Sequence, residues 1–75
     1  MTQLHIIMKQ TLANFVKEQR RKTGLTQEGF AERAGVALTV VRKIEQGKEN
    51  LSLSKVNQVL LMFGHVLAPV NRKDL

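Results

Sequence analysis

The chain is expected to fold as an all-α domain of four short helices, compact, with a short β-strand after the last helix. Three observations lead there. Apolar residues recur at intervals of three and four in separate segments, the rhythm of amphipathic helices. Glycines at positions 24, 35, 47 and 64 stand where that rhythm stops. Hydroxyl residues, Thr11, Thr26 and Ser52 or Ser54, stand where it starts, and their oxygens can accept free N–H groups of a first turn. Seventy-five residues without a cysteine must rely on one small core or on a partner subunit.

Residues 1–10 carry no helical rhythm. Leu4, Ile6 and Met8 alternate, so this stretch is expected to be an arm, a short strand or a frayed turn. The first helix follows Thr11, with Leu12, Phe15, Val16 and Gln19 at helical spacing and Lys17, Glu18, Arg21 and Lys22 mostly opposite. Gly24 ends it near Thr23, and Arg20, Arg21 and Lys22 suit the negative end of the helix dipole. Leu25 plugs the junction. Thr26 caps the second helix, Glu28 suits its positive end, and Phe30, Ala31 and Ala34 form its apolar side. Gly35 breaks it. Val36 opens the next apolar set, Val40, Val41 and Ile44, which Gly47 closes.

After a loop over residues 47–51, the fourth helix is expected to bury Leu53, Val56, Val59, Leu60 and Phe63, and Gly64 ends it. Residues 65–70 then read as a strand, with Val66 and Ala68 alternating with Leu67. Pro69 restricts it to a sheet edge. A lone strand has no partner in a four-helix domain. It is expected to pair with a second copy across a two-fold axis through Val66, Leu67, Ala68 and Val70, or with segment 4–8. The organisation is therefore an arm or short strand over 1–10, a helical domain over 11–64, and a strand with a polar tail over 65–75. Phe15, Val16, Phe30, Val41, Ile44, Val56 and Phe63 make the predicted core, and Met62 is a packing residue.

Residues 26–47 are two short helices joined by a tight turn containing glycine, which is the helix-turn-helix description. Lys and Arg outnumber Asp and Glu by 12 to 6, a net charge of +6. Such a domain attracts polyanions, and with this motif the polyanion is DNA. No apolar run approaches the roughly 20 residues that span a bilayer. The first residues lack the basic start and cleavage site of a signal peptide, so a cytoplasmic location is expected. No enzyme is expected either. There is no cysteine, and neither His5 nor His65 has an evident Ser or Asp partner. Glu28 and Glu32 are accounted for by Arg33 and the helix ends. No cofactor and no metal are expected, because ligand clusters with suitable spacing are missing.

The run from position 12 to about 64 resembles the Xre family of phage-repressor-like helix-turn-helix regulators. The resemblance rests on Arg20, on Gly24-Leu25-Thr26-Gln27, on Phe30-Ala31, on Ala34-Gly35-Val36, on Val41, on Ile44-Glu45, on Gly47-Lys48 and on Leu53. It implies that Gln27 touches a phosphate or a base edge from a helix N-terminus. It implies that Ala37, Leu38, Thr39, Arg42 and Lys43 form the exposed face of the recognition helix. Of these, Arg42 and Lys43 suit guanine O6 and N7. Lys48, just after that helix, is placed to reach a phosphate. Arg20 and Glu45 match a pair that bridges the first and third helices. One departure stands out. The recognition helix usually opens with small polar residues or Gln, whereas this one opens Ala37-Leu38-Thr39-Val40. Leu38 either packs on a thymine methyl or is buried.

More loosely, the layout resembles a HipB-type antitoxin, on the short length, the sequence Leu51-Ser52-Leu53-Ser54-Lys55-Val56 and a strand after the last helix. The expected function is a sequence-specific repressor. It would bind a palindromic operator as a homodimer, with recognition helices about 34 Å apart, as the autoregulating antitoxin of a toxin–antitoxin operon. The alternative is an interaction module that mainly holds and inhibits a partner toxin such as a HipA-like kinase. A membrane-surface role fails, because the basic residues are spread over several helices.

Overall fold

The structure, a computed structural model, describes residues 11–74. The arm or strand expected over 1–10 lies outside the described residues. Four α-helices are found among those described: α1 (Leu12–Lys22), α2 (Gln27–Ala34), α3 (Leu38–Glu45) and α4 (Leu53–Leu61). A short 3-10 turn, Arg72–Asp74, follows.

The caps sit where the sequence puts them. Thr11 Oγ1 accepts the Asn14 N–H at 3.1 Å, and Thr26 Oγ1 accepts the Gly29 N–H at 3.0 Å. Of the two serines ahead of α4, Ser52 is the cap, accepting from the Lys55 N–H. Gly35 closes α2 at φ 74°, a left-handed conformation that strains any residue with a Cβ. The Val36 N–H returns to the Ala31 carbonyl at 3.1 Å, so the chain turns sharply into α3.

Helix α3 packs against α1, α2 and α4. Its apolar side supplies Val41 and Ile44 to a core completed by Val16, Phe30, Ala31, Ala34, Val56, Val59 and Leu60. Phe30 stacks on Phe63 with ring centroids 5.5 Å apart, and Phe15 meets Phe63 edge-on at 6.1 Å. Phe15 and Phe63 are half-buried, so they line the rim of the core.

Two expectations are corrected. Leu53 is 72 % exposed and not part of the buried face. It is the first residue of α4, where the helix has barely reached the core. Leu51, one residue before the cap, packs on the core instead and shares a notch with Val56. This is the arrangement of a hydrophobic staple.

The second correction concerns the C-terminal β-strand, which is absent. Among the described residues there is no strand, and residues 65–71 have no regular structure. A strand exists by its ladder, and here the neighbour is a helix. The Leu67 N–H donates to the Asn57 side-chain oxygen at 2.7 Å, which ties the segment to α4 without a sheet. Pro69 has no N–H to offer. Val66 and Val70 remain 62 % and 60 % exposed.

Candidate nucleic-acid interface

Helix α3 has two sides of opposite character. Val41 and Ile44 are buried, while Thr39, Arg42 and Lys43 are exposed on the other side. Burial of the apolar side fixes which way the helix turns, so the basic side faces outward as one surface. Ala37, the exposed N-cap, stands at its start and makes no side-chain cap bond. Leu38 is half-buried and packs on the core. Lys48 is exposed in the loop after α3, its N–H bonded to the Lys43 carbonyl at 3.0 Å. Among the described residues, Arg42, Lys43 and Lys48 take part in no ion pair.

At the other end of α3, Glu45 is almost fully enclosed, its side chain 3 % exposed. Arg20 of α1 grips it with two bonds, Nε to Oε2 at 2.7 Å and Nη2 to Oε1 at 3.0 Å. The third guanidinium nitrogen, Nη1, donates to the Leu25 carbonyl at 2.9 Å. A planar fork with fixed donors makes this possible, and lysine has no equivalent. Burial alone would push the Glu45 carboxyl up. Hydrogen bonds from Arg20 and Gln27, with the charges of Arg20 and Lys17, outweigh it and hold the carboxyl below the usual range. The hydrogen bond to Glu45 raises the Arg20 guanidinium further, so the pair stays ionised.

Gln27 belongs to the same network. Its Nε2 donates to Glu45 Oε1 at 3.0 Å, so one N–H of the carboxamide faces α3. Gln27, Arg20 and Glu45 thus come together as one cluster at the junction of α1, α2 and α3.

A notch of about 270 Å³ lies between α3 and the start of α4, lined in part by Thr39, Lys43, Asn50, Ser52 and Lys55. It brings a second lysine and two neutral polar groups beside the basic side of α3. Asn50 and Ser52 read from sequence only as loop and cap. Their place beside Lys43 depends on the packing of α4 against α3, which local pattern does not encode. Val66, Leu67, Ala68 and Val70 lie apart from these residues, and Leu67 and Ala68 share a shallow cleft with Leu53 and Asn57.

Two helices joined by a tight turn, the second buried on one side and basic on the other, define a helix-turn-helix protein. The comparisons agree. A helix-turn-helix family model matches residues 16–65. The chain is 32% identical over 53 residues to an uncharacterized HTH-type transcriptional regulator of Methanothermobacter thermautotrophicus. The match covers 71% of this chain and 77% of that protein. No solved structure gives a significant match. The chain belongs to the Xre-like helix-turn-helix family. Among the described residues, no helix is long and apolar enough to cross a membrane.

Proposed function

We propose that the chain is a DNA-binding transcriptional repressor that sets α3 into the major groove of a palindromic operator as a homodimer. The observation that carries this reading is the exposed pair Arg42 and Lys43, without ion-pair partners among the described residues, on a helix whose opposite side is buried. In this reading Arg42 and Lys43 contact base edges, and Thr39 and Ala37 border them. Gln27, Lys48 and the Lys55 notch hold phosphates, which set register and carry no sequence information. Leu38 supports the helix from beneath. Family membership supports the DNA-binding part of the proposal.

The dimer is the finer part. Its support is a set of exposed apolar residues, Leu53, Val66, Leu67, Ala68 and Val70, on a chain of net charge +6. A contact between two copies through these residues places no like charges directly against each other. The contact proposed is between side chains. The antitoxin context loses one of its three supports, because no strand follows the last helix. The proposal therefore stops at a repressor.

The test is selection of duplexes from a random pool, followed by a salt titration on the enriched duplex and on a scrambled one. The wild type is expected to enrich a site with two inverted halves about 10 base pairs apart. Its affinity should fall steeply as salt rises. A variant with both Arg42→Ala and Lys43→Ala should lose about 100-fold on the enriched duplex and distinctly less on the scrambled one. Equal wild-type binding to both duplexes would overturn the sequence-specific reading.

A further inference from the structure

Gln58 lies on α4, and its side chain reaches the turn between α2 and α3. Its Nε2 donates to the Ala34 carbonyl at 2.9 Å and to the Gly35 carbonyl at 2.9 Å. These carbonyls close α2, where helical oxygens lose their own partners. Among the described residues no backbone N–H reaches either one. The fit is close: a Cβ added at Gly35 would stand 3.0 Å from Gln58 Nε2. Meanwhile Ala37, the N-cap of α3, makes no side-chain cap bond, whereas the far end of α3 is fastened by Arg20 and Gln27 through Glu45.

We propose that Gln58 is a positioning residue for DNA reading: its carboxamide anchors the two carbonyls ahead of α3 and so sets the direction in which that helix leaves the turn. The proposal rests on α3 being the helix that reads base edges. Base contacts depend on the placement of α3 far more than general attraction to phosphate does. Loss of the amide donors should therefore reduce discrimination between sequences before it reduces attraction to DNA.

The test uses the full chain with Gln58→Met, close in size and without a donor, and Gln58→Lys, whose ammonium can donate to both carbonyls. The readout is the ratio of affinities for the enriched and scrambled duplexes, at a temperature where circular dichroism shows every variant folded. Gln58→Met should lower that ratio about tenfold, the order expected from two lost neutral hydrogen bonds. Its affinity for scrambled DNA should stay within about twofold, and Gln58→Lys should restore most of the ratio. In DNA-free protein, backbone amides of residues 35–40 should exchange about tenfold faster in Gln58→Met while those of α1 do not change. An unchanged ratio overturns the proposal, including the case in which only the melting temperature falls. If the wild type itself shows no preference among duplexes, the repressor reading has failed independently. Hydrogen exchange alone then decides whether Gln58 holds the turn, and unchanged exchange overturns it.

Discussion

Glu45→Ala is expected to lower stability by about 3 kcal/mol, because it leaves Arg20 inside the domain without its counter-charge. Two residues lose their partner at once. Arg20 loses both bonds to the carboxylate, and Gln27 loses its acceptor. Arg20 cannot shed its proton to relieve the burial. In a domain of this size each kcal/mol lost lowers the melting temperature by roughly 4–8 °C. Thermal unfolding followed by circular dichroism should therefore show a drop well beyond 10 °C, and a drop of only a degree or two would mean the network contributes nothing.

The same group gives the chain a pH dependence with a definite sign. The Glu45 carboxyl lies below its usual range in the folded state, so the unfolded chain binds its proton first on acidification. The stabilisation is fully present above the ordinary glutamate range and is lost as pH falls through the lowered value. An acid titration of the melting temperature should fall more steeply for the wild type than for Glu45→Gln, which carries no charge to lose. Parallel curves would remove Glu45 as the source.

Phe30→Ala should cost about 3–5 kcal/mol, the range for emptying a buried aromatic site. Phe30 has no exposed surface, stacks on Phe63 and shares the core with residues of all four helices. A chain of this length has a total stability of roughly 4–11 kcal/mol. The substitution therefore removes about half of it. The check is a urea titration, with the midpoint expected to fall to about half of its wild-type value. A shift of less than a quarter would show that the aromatic cluster relaxes into the space.

Features decided by neighbouring residues were legible in the sequence. Thr11 and Thr26 cap from within one turn, and Gly35 ends α2 through its own backbone, so local spacing was sufficient to place all three. The strand was not legible in the same way. Alternation at Val66, Leu67 and Ala68 is shared by strands and by extended segments, and the difference lies in what the backbone bonds to. Here that is Asn57, ten residues earlier in the chain. Leu53 shows the same limit. Its spacing from Val56 and Leu60 suggests burial, yet Leu51 holds the place on the core. In the interface, Arg42 and Lys43 could be read as one exposed set, because a helix places them there. The bond from Gln27 to Glu45, and the meeting of Asn50 with Lys43, arise between separate elements and carry no local signature.

The helix-turn-helix of this protein is not a portable part. Residues 26–47 look like a self-sufficient cassette, but the far end of α3 and the turn ahead of it are both held from outside the segment. Arg20 stands before the segment and grips Glu45, and Gln58 stands after it and holds the carbonyls of Ala34 and Gly35. Anyone transplanting the motif into a new scaffold would move α3 and leave behind both of these contacts. Engineering of new sequence preferences should therefore vary residues on α3 inside the four-helix frame.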